Sequence, residues 1–194
     1  MRGFDLGGAR PTAAEALATW AQGQGHDGLA EAARRLPTLS PVGRWRSLPG
    51  PTGEANLYAV LAREHVLCLA APGAEGDAAR LHLLAAVLAV GARAVWPVQA
   101  QALWQRLPDM VQDRVLLAQD WTRADLPLDA VLHAGPAASL QAAARALAAR
   151  PGPIIGLVPA GADGSVPLER LVIGRSLSVN TAAAGGNASL MTIA

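Results

Sequence analysis

Apolar residues recur along the chain with a helical period at the start, then in short runs that alternate with helical stretches, then with a period of two. In residues 11–22 (PTAAEALATWAQ), Ala13, Ala16, Leu17 and Trp20 share one helical face. Thr12 stands at the N-cap position, and Glu15, three residues on, completes a capping box. A second helix is expected over residues 27–36, with Leu29, Ala32, Ala33 and Leu36 inward and Pro37 and Pro41 ending it. Residues 41–53 (PVGRWRSLPGPTG) are turn-rich and read as a loop. Two strand-like runs follow, NLYAVLA and HVLCLA, separated only by Arg63-Glu64, and that spacing predicts an antiparallel hairpin.

Beyond residue 76 helices and strands alternate. Leu81, Leu84, Ala85 and Leu88 give a helix over 77–90 with Gly91 as its C-cap. Strand ARAVW, a helix near 98–107, strand RVLLA, strand DAVLH, a helix opened by Pro136 and reaching about Ala149, and strand PIIGLV complete the series. Short apolar strands between helices predict a Rossmann-like α/β fold, with a parallel sheet covered by helices on both faces. To this the pattern adds N-terminal helices, a β-hairpin and a C-terminal β-flap tail. RLVIGRSLSVN alternates as a strand does, and TAAAGGNASLMTIA is small and uncharged, a composition that needs another surface to lie against. The expected organisation is a helical segment over 1–40, a Rossmann-like domain over 41–168 and a flap over 169–194.

Composition narrows the function classes. The chain has 194 residues, of which 52% are hydrophobic and only 16% charged, so much of the surface is apolar or small. Net charge is +1 and there is no lysine; the 16 arginines form no basic stripe, which argues against a phosphate-backbone partner. Cys68 is the lone cysteine, so no intramolecular disulfide forms and a reducing cytoplasm is the expected compartment. Residues 1–20 lack the pattern of a secretory leader. The longest apolar stretch, residues 81–98, is interrupted by Gly91 and Arg93 and contains His82; it reads as a buried helix and strand, not a membrane span.

Candidate chemistry is sparse. A dinucleotide site would need G-x-G-x-x-G after the first strand of the parallel sheet, whereas APGAEGD offers only Gly73 and Gly76. Cys68 lies mid-strand in an apolar run, where a structural thiol is expected rather than a reactive one. His65 and Cys68, three apart on a strand, point to opposite faces and make a poor metal pair. His26, His82 and His133 show no metal-binding spacing, and there is no G-x-S-x-G elbow or paired-carboxylate constellation. The dispersed Trp20, Trp45, Trp96, Trp104 and Trp121 read as packing residues. A small NAD-binding, dehydrogenase-like protein remains the alternative reading.

Two segments carry a specific resemblance, RSLPGPTGEANLYAVLAREHVLCLA (46–70) and ERLVIGRSLSVNTAAAGGNASLMTIA (169–194). They resemble stretches of long proline utilization A proteins that lie beyond the aldehyde dehydrogenase module, and the tail is similar to that family's C-terminal motif. AAVLAVGARAVWP and the stretch from DAVLHAG to GPIIGLV resemble the family too. The resemblance implies a parent with a flavin-dependent proline dehydrogenase and an NAD-dependent L-glutamate gamma-semialdehyde dehydrogenase, joined by an internal cavity for the intermediate. It implies that this chain is a non-catalytic, aldehyde-dehydrogenase-like domain packed on the dehydrogenase module, with FAD and NAD held elsewhere in the parent. Val158-Pro159 stands where an enzyme of that kind carries the glutamate of its L-E-L-G-G-type motif. No catalytic, cofactor-binding or metal-binding residue is therefore expected here. The expected docking residues are Arg175, Ser178, Val179, Asn180, Thr181, Gly185, Gly186, Asn187, Ser189 and Leu190. Asn180 and Asn187 would hydrogen-bond partner backbone, with Gly185-Gly186 turning between them.

Overall fold

The structure, a computed structural model, describes residues 12–51, 53–161 and 164–180. Helix α1 (Ala13–Gly23) starts as its sequence dictates: the Glu15 amide donates to Thr12 Oγ1 at 3.2 Å and the Thr12 amide to Glu15 Oε2 at 2.6 Å. Helix α2 spans Asp27–Leu39 and runs through Pro37 instead of stopping there. Proline removes one donor to the preceding turn, and so near a helix end that loss leaves the last turn standing. The Ser40 amide still reaches the Pro37 carbonyl at 3.2 Å.

Strands β1 (Trp45–Leu48), β2 (Glu54–Ala62) and β3 (His65–Ala70) follow. Residues 41–53 are therefore not all loop. The expected pairing of β2 with β3 does not occur either. β2 forms its hairpin with β1, whereas β3 crosses into a different sheet and runs parallel to its neighbours there. Two-residue hairpin turns need positive φ, and neither Arg63 nor Glu64 has it. Val66, Leu67 and Cys68 are each 0% exposed, the unbroken burial of a central parallel strand.

The remaining elements are α3 (Ala74–Ala89), β4 (Arg93–Pro97), α4 (Gln101–Trp104), α5 (Asp109–Gln112), β5 (Val115–Ala118), β6 (Ala130–Ala134), α6 (Ala137–Ala149), β7 (Gly156–Pro159) and β8 (Val172–Asn180). The helix expected near 98–107 is instead a 3₁₀ turn (Val98–Ala100) leading into the short α4, and α5 follows Pro108. Five parallel strands in the order β5-β4-β3-β6-β7 make the first sheet, a doubly wound arrangement whose direction reverses between β3 and β6. On one face lies α3, apolar on almost every side because α1 and α2 pack outside it; Leu83, Leu84 and Val87 are nearly sealed. On the other face Leu67, Val95, Ala118 and Val131 are buried beneath Leu147 of α6 and loop residues including Trp121 and Leu126. Helices thus flank both faces, as the alternation predicts.

The second sheet has three antiparallel strands in the order β1-β2-β8. β8 pairs with β2 along its whole length, from Glu54 opposite Asn180 to Ala62 opposite Val172. Leu168 and Leu171, in the 3₁₀ turn before β8, are buried and root the strand in the first sheet's core.

Candidate partner-docking surface

Residues directly opposite in an antiparallel ladder point to the same face. In the β1-β2-β8 sheet the register separates two chemically different faces. Trp45 pairs with Ala59 and Ser47 with Leu57, while Ala55, Leu57, Ala59 and Leu61 stand opposite Val179, Leu177, Arg175 and Ile173. This face is apolar apart from Ser47 and Arg175. The opposite face carries Arg46, Glu54, Asn56, Tyr58, Ser176, Ser178 and Asn180 beside Leu48 in its outer part, and Val60, Ala62, Val172 and Gly174 nearer the first sheet. There Ser178 donates to Asn56 Oδ1, and Tyr58 lies over Gly174, where an added Cβ would collide with the phenolic oxygen.

The apolar face is uncovered at its outer end. Trp45 is 68% exposed, Leu177 54% and Val179 44%, while Leu61 and Ile173, nearer the first sheet, are half-buried. Apolar area removed from water contributes about 25 cal/mol per Å², and an exposed cluster of this kind marks an interaction surface.

The expected docking residues divide accordingly. Arg175 and Val179 lie on the apolar face, and Ser178 and Asn180 on the polar one. Thr181, Gly185, Gly186, Asn187, Ser189 and Leu190 lie outside the described residues. Leu57, Leu61, Ile173 and Leu177, which were not singled out from sequence, complete the face together with Trp45, which reads from sequence as a packing residue but is exposed because it sits on the edge strand β1. The signal was there, since Leu57/Leu61 and Ile173/Leu177/Val179 alternate. What sequence does not carry is the register that brings the two series together.

At the carboxyl ends of β3 and β6, where a doubly wound fold binds ligands, several groups are already engaged within the chain. Gly76 lies so close to the preceding turn that an added Cβ would overlap the Ala71 carbonyl oxygen. Arg80, 6% exposed, donates to the Ala70 carbonyl at 3.3 Å and to Asp77 at 3.1 Å, with its guanidinium 5.9 Å from the Trp96 ring centroid. Burial lowers the pKa of Arg80, and Asp77 acts against that. Cys68 beneath it is pushed up to about 12, chiefly by burial, which leaves the thiol protonated and inert. His133, one residue before the end of β6, has Nε2 3.0 Å from Ser139 Oγ, and burial lowers its pKa.

NAD fits these residues poorly. Gly73, with φ of 90°, makes the turn, and Gly76 makes the close helix–strand contact, but the remaining fingerprint glycine is missing. The stretch from β4 into α4 (RAVWPVQA) supplies no carboxylate for a ribose. Among the described residues there is no His/Cys/Asp/Glu group able to hold a metal, and no helix is long and apolar enough to cross a membrane.

No family model matches the chain. It is 48% identical over 181 residues to the Bifunctional protein PutA of Salmonella typhimurium, a match covering 92% of this chain and 13% of that protein. A solved structure of proline utilization A with proline bound in remote sites superposes with a TM-score of 0.58 at 21% identity, covering 77% of this chain and 19% of that one. A point mutant of an aldehyde dehydrogenase from Bacillus cereus has the same kind of fold, with a TM-score of 0.50, 11% identity, 76% of this chain and 34% of that one covered. The chain spans about an eighth of the length of the curated relatives it matches. It is homologous to a segment of the bifunctional PutA proteins and carries an aldehyde-dehydrogenase-like fold.

Proposed function

We propose that this chain is a non-catalytic docking domain that packs on the aldehyde dehydrogenase module of the same parent protein and helps seal the cavity used by the intermediate. The observation that supports it is the apolar face of the β1-β2-β8 sheet, carrying Trp45, Leu177 and Val179 into solvent. Such a face gains free energy when it is covered. The outer edge of β8 adds backbone groups that a partner strand satisfies. In this reading the flap continues through Thr181, Gly185-Gly186, Asn187, Ser189 and Leu190 onto the partner. The parent oxidises proline to glutamate with FAD and NAD bound outside this chain, in the cytoplasm.

The test is a parent protein lacking this segment, to which the chain is added in trans. Coupled proline-to-glutamate turnover and semialdehyde dehydrogenase activity should rise on addition, and Leu177→Asp or deletion of residues 175–194 should abolish the rise. If the chain lacking residues 175–194 raises turnover as much as the intact chain does, the flap reading fails. The doubly wound strand order keeps an NAD-binding alternative in view. Titration calorimetry separates the two, because micromolar NAD binding by this chain contradicts the lid reading.

A further inference from the structure

Both long strands of the antiparallel sheet arise at one place, and that place is clamped. Arg63 immediately follows β2, and its amide donates to the Leu171 carbonyl at 2.9 Å, immediately before β8 starts. Its side chain spreads over two further segments, Nε donating to the Arg170 carbonyl at 3.0 Å and Nη1 to the Asp129 carbonyl at 3.1 Å. Asp129 answers from the other side, since its Oδ2 accepts from the amides of Glu64 and His65, both at 2.9 Å. The Asp129 amide donates to the His65 carbonyl at 2.9 Å, and the Arg93 amide to that of Glu64 at 2.8 Å. The exit of β2, the root of β8 and the starts of β3 and β6 are therefore tied together by two side chains, and the start of β4 joins them through backbone. The outer parts of β1, β2 and β8 are exposed, so beside this cluster the angle at which the sheet leaves the body rests on its inner end, where Leu168 and Leu171 are buried and Ala62 and Val172 pack against the core.

We propose that Arg63 and Asp129 are positioning residues that set the orientation of the antiparallel sheet on the Rossmann-like body, so that its apolar face meets the partner pre-aligned. The consequence for binding rests on the docking reading; the orientation itself does not. A planar guanidinium reaches two carbonyls in fixed directions, whereas a lysine ammonium on a flexible stem does not hold that geometry. A preoriented face avoids the ordering cost that a swinging one meets on association.

The experiment places spin labels at S176C on β8 and Q141C on α6, both exposed in the full chain. Cys68 stays unlabelled, because burial holds its thiol pKa at about 12. Electron–electron distance measurement should give one narrow distribution for the otherwise unaltered chain. Arg63→Ala, Arg63→Lys and Asp129→Ala should each broaden it at least twofold, while Asp129→Asn, which keeps an acceptor oxygen, broadens it less. A Q105C/Q141C pair within the body should keep its width throughout, which separates reorientation from general loosening. If a variant with alanine does not fold, Arg63→Lys asks the same question more gently. Unchanged widths in the variants that fold overturn the proposal. Affinity for the parent lacking this segment should fall about tenfold with Arg63→Lys. If Leu177→Asp leaves that affinity intact, the docking reading fails while the distance result stands.

Discussion

The molecule's two sheets bury their residues in different ways. In the parallel sheet the central strands are closed on both faces, and Val66, Leu67, Val95, Val131 and Leu132 are each 0% exposed. In the antiparallel sheet no residue is buried, although one face is apolar apart from Ser47 and Arg175. Composition does not separate them; covering does. One sheet owes its apolar residues to its own helices, and the other presents them with no covering element among the described residues. The difference teaches that the first sheet's side chains hold the fold, while those of the second stay in contact with solvent at the sheet's outer end.

Mutations should break along this line. Trp96→Ala, in the sealed layer under Arg80, should cost about 3–5 kcal/mol in a urea titration. Gly76→Ala, which drives a methyl group into a carbonyl oxygen, should cost about 1–3 kcal/mol by the same measurement. Thr12→Ala removes the α1 cap and should cost about 1 kcal/mol. At the other extreme, Leu177→Ala should change the stability of the isolated chain by less than about 0.5 kcal/mol, while weakening partner binding. A large loss of stability there would mean that the face is covered from within the chain.

Acid should strain the parallel-sheet body rather than the antiparallel sheet. Burial lowers the pKa values of His82 and His133, with His26 adding to the effect on His82. The unfolded chain binds protons near pH 6.5, its ordinary histidine value, and the folded chain resists them to lower pH. Stability should therefore fall as pH drops from about 6.5 towards the folded-state values and then level off. Urea midpoints at a series of pH values test this, and His133→Gln should reduce the fall.

Much of this was legible in the sequence where the cause is local. Thr12 and Glu15 announce the cap, the helical spacing of Leu81, Leu84 and Leu88 announces α3, and the apolar runs announce the parallel strands. Pro37 misled because its effect depends on how much helix remains beyond it. Arg63-Glu64 misled for a different reason: a short link between two strands suits either a hairpin or a direct passage between sheets, and only the buried environment of β3 decides. The apolar face was half legible. Arg175 and Val179 came from the tail resemblance, but Trp45 and Leu57 join them through a register between segments more than a hundred residues apart.

That register has a consequence for when the surface exists. β2 is made early and β8 late, and the hydrogen bond from Ser178 to Asn56 spans 122 positions. Closing such a separation is slow unless something already holds the ends near each other. The parallel sheet does so, because β3 continues from β2 and the buried Leu168–Leu171 turn delivers β8 to the same edge. During synthesis, then, the apolar face is assembled last, after the body has folded and β8 has emerged. A truncated or half-folded copy therefore lacks the complete face, because half of its apolar residues arrive with β8.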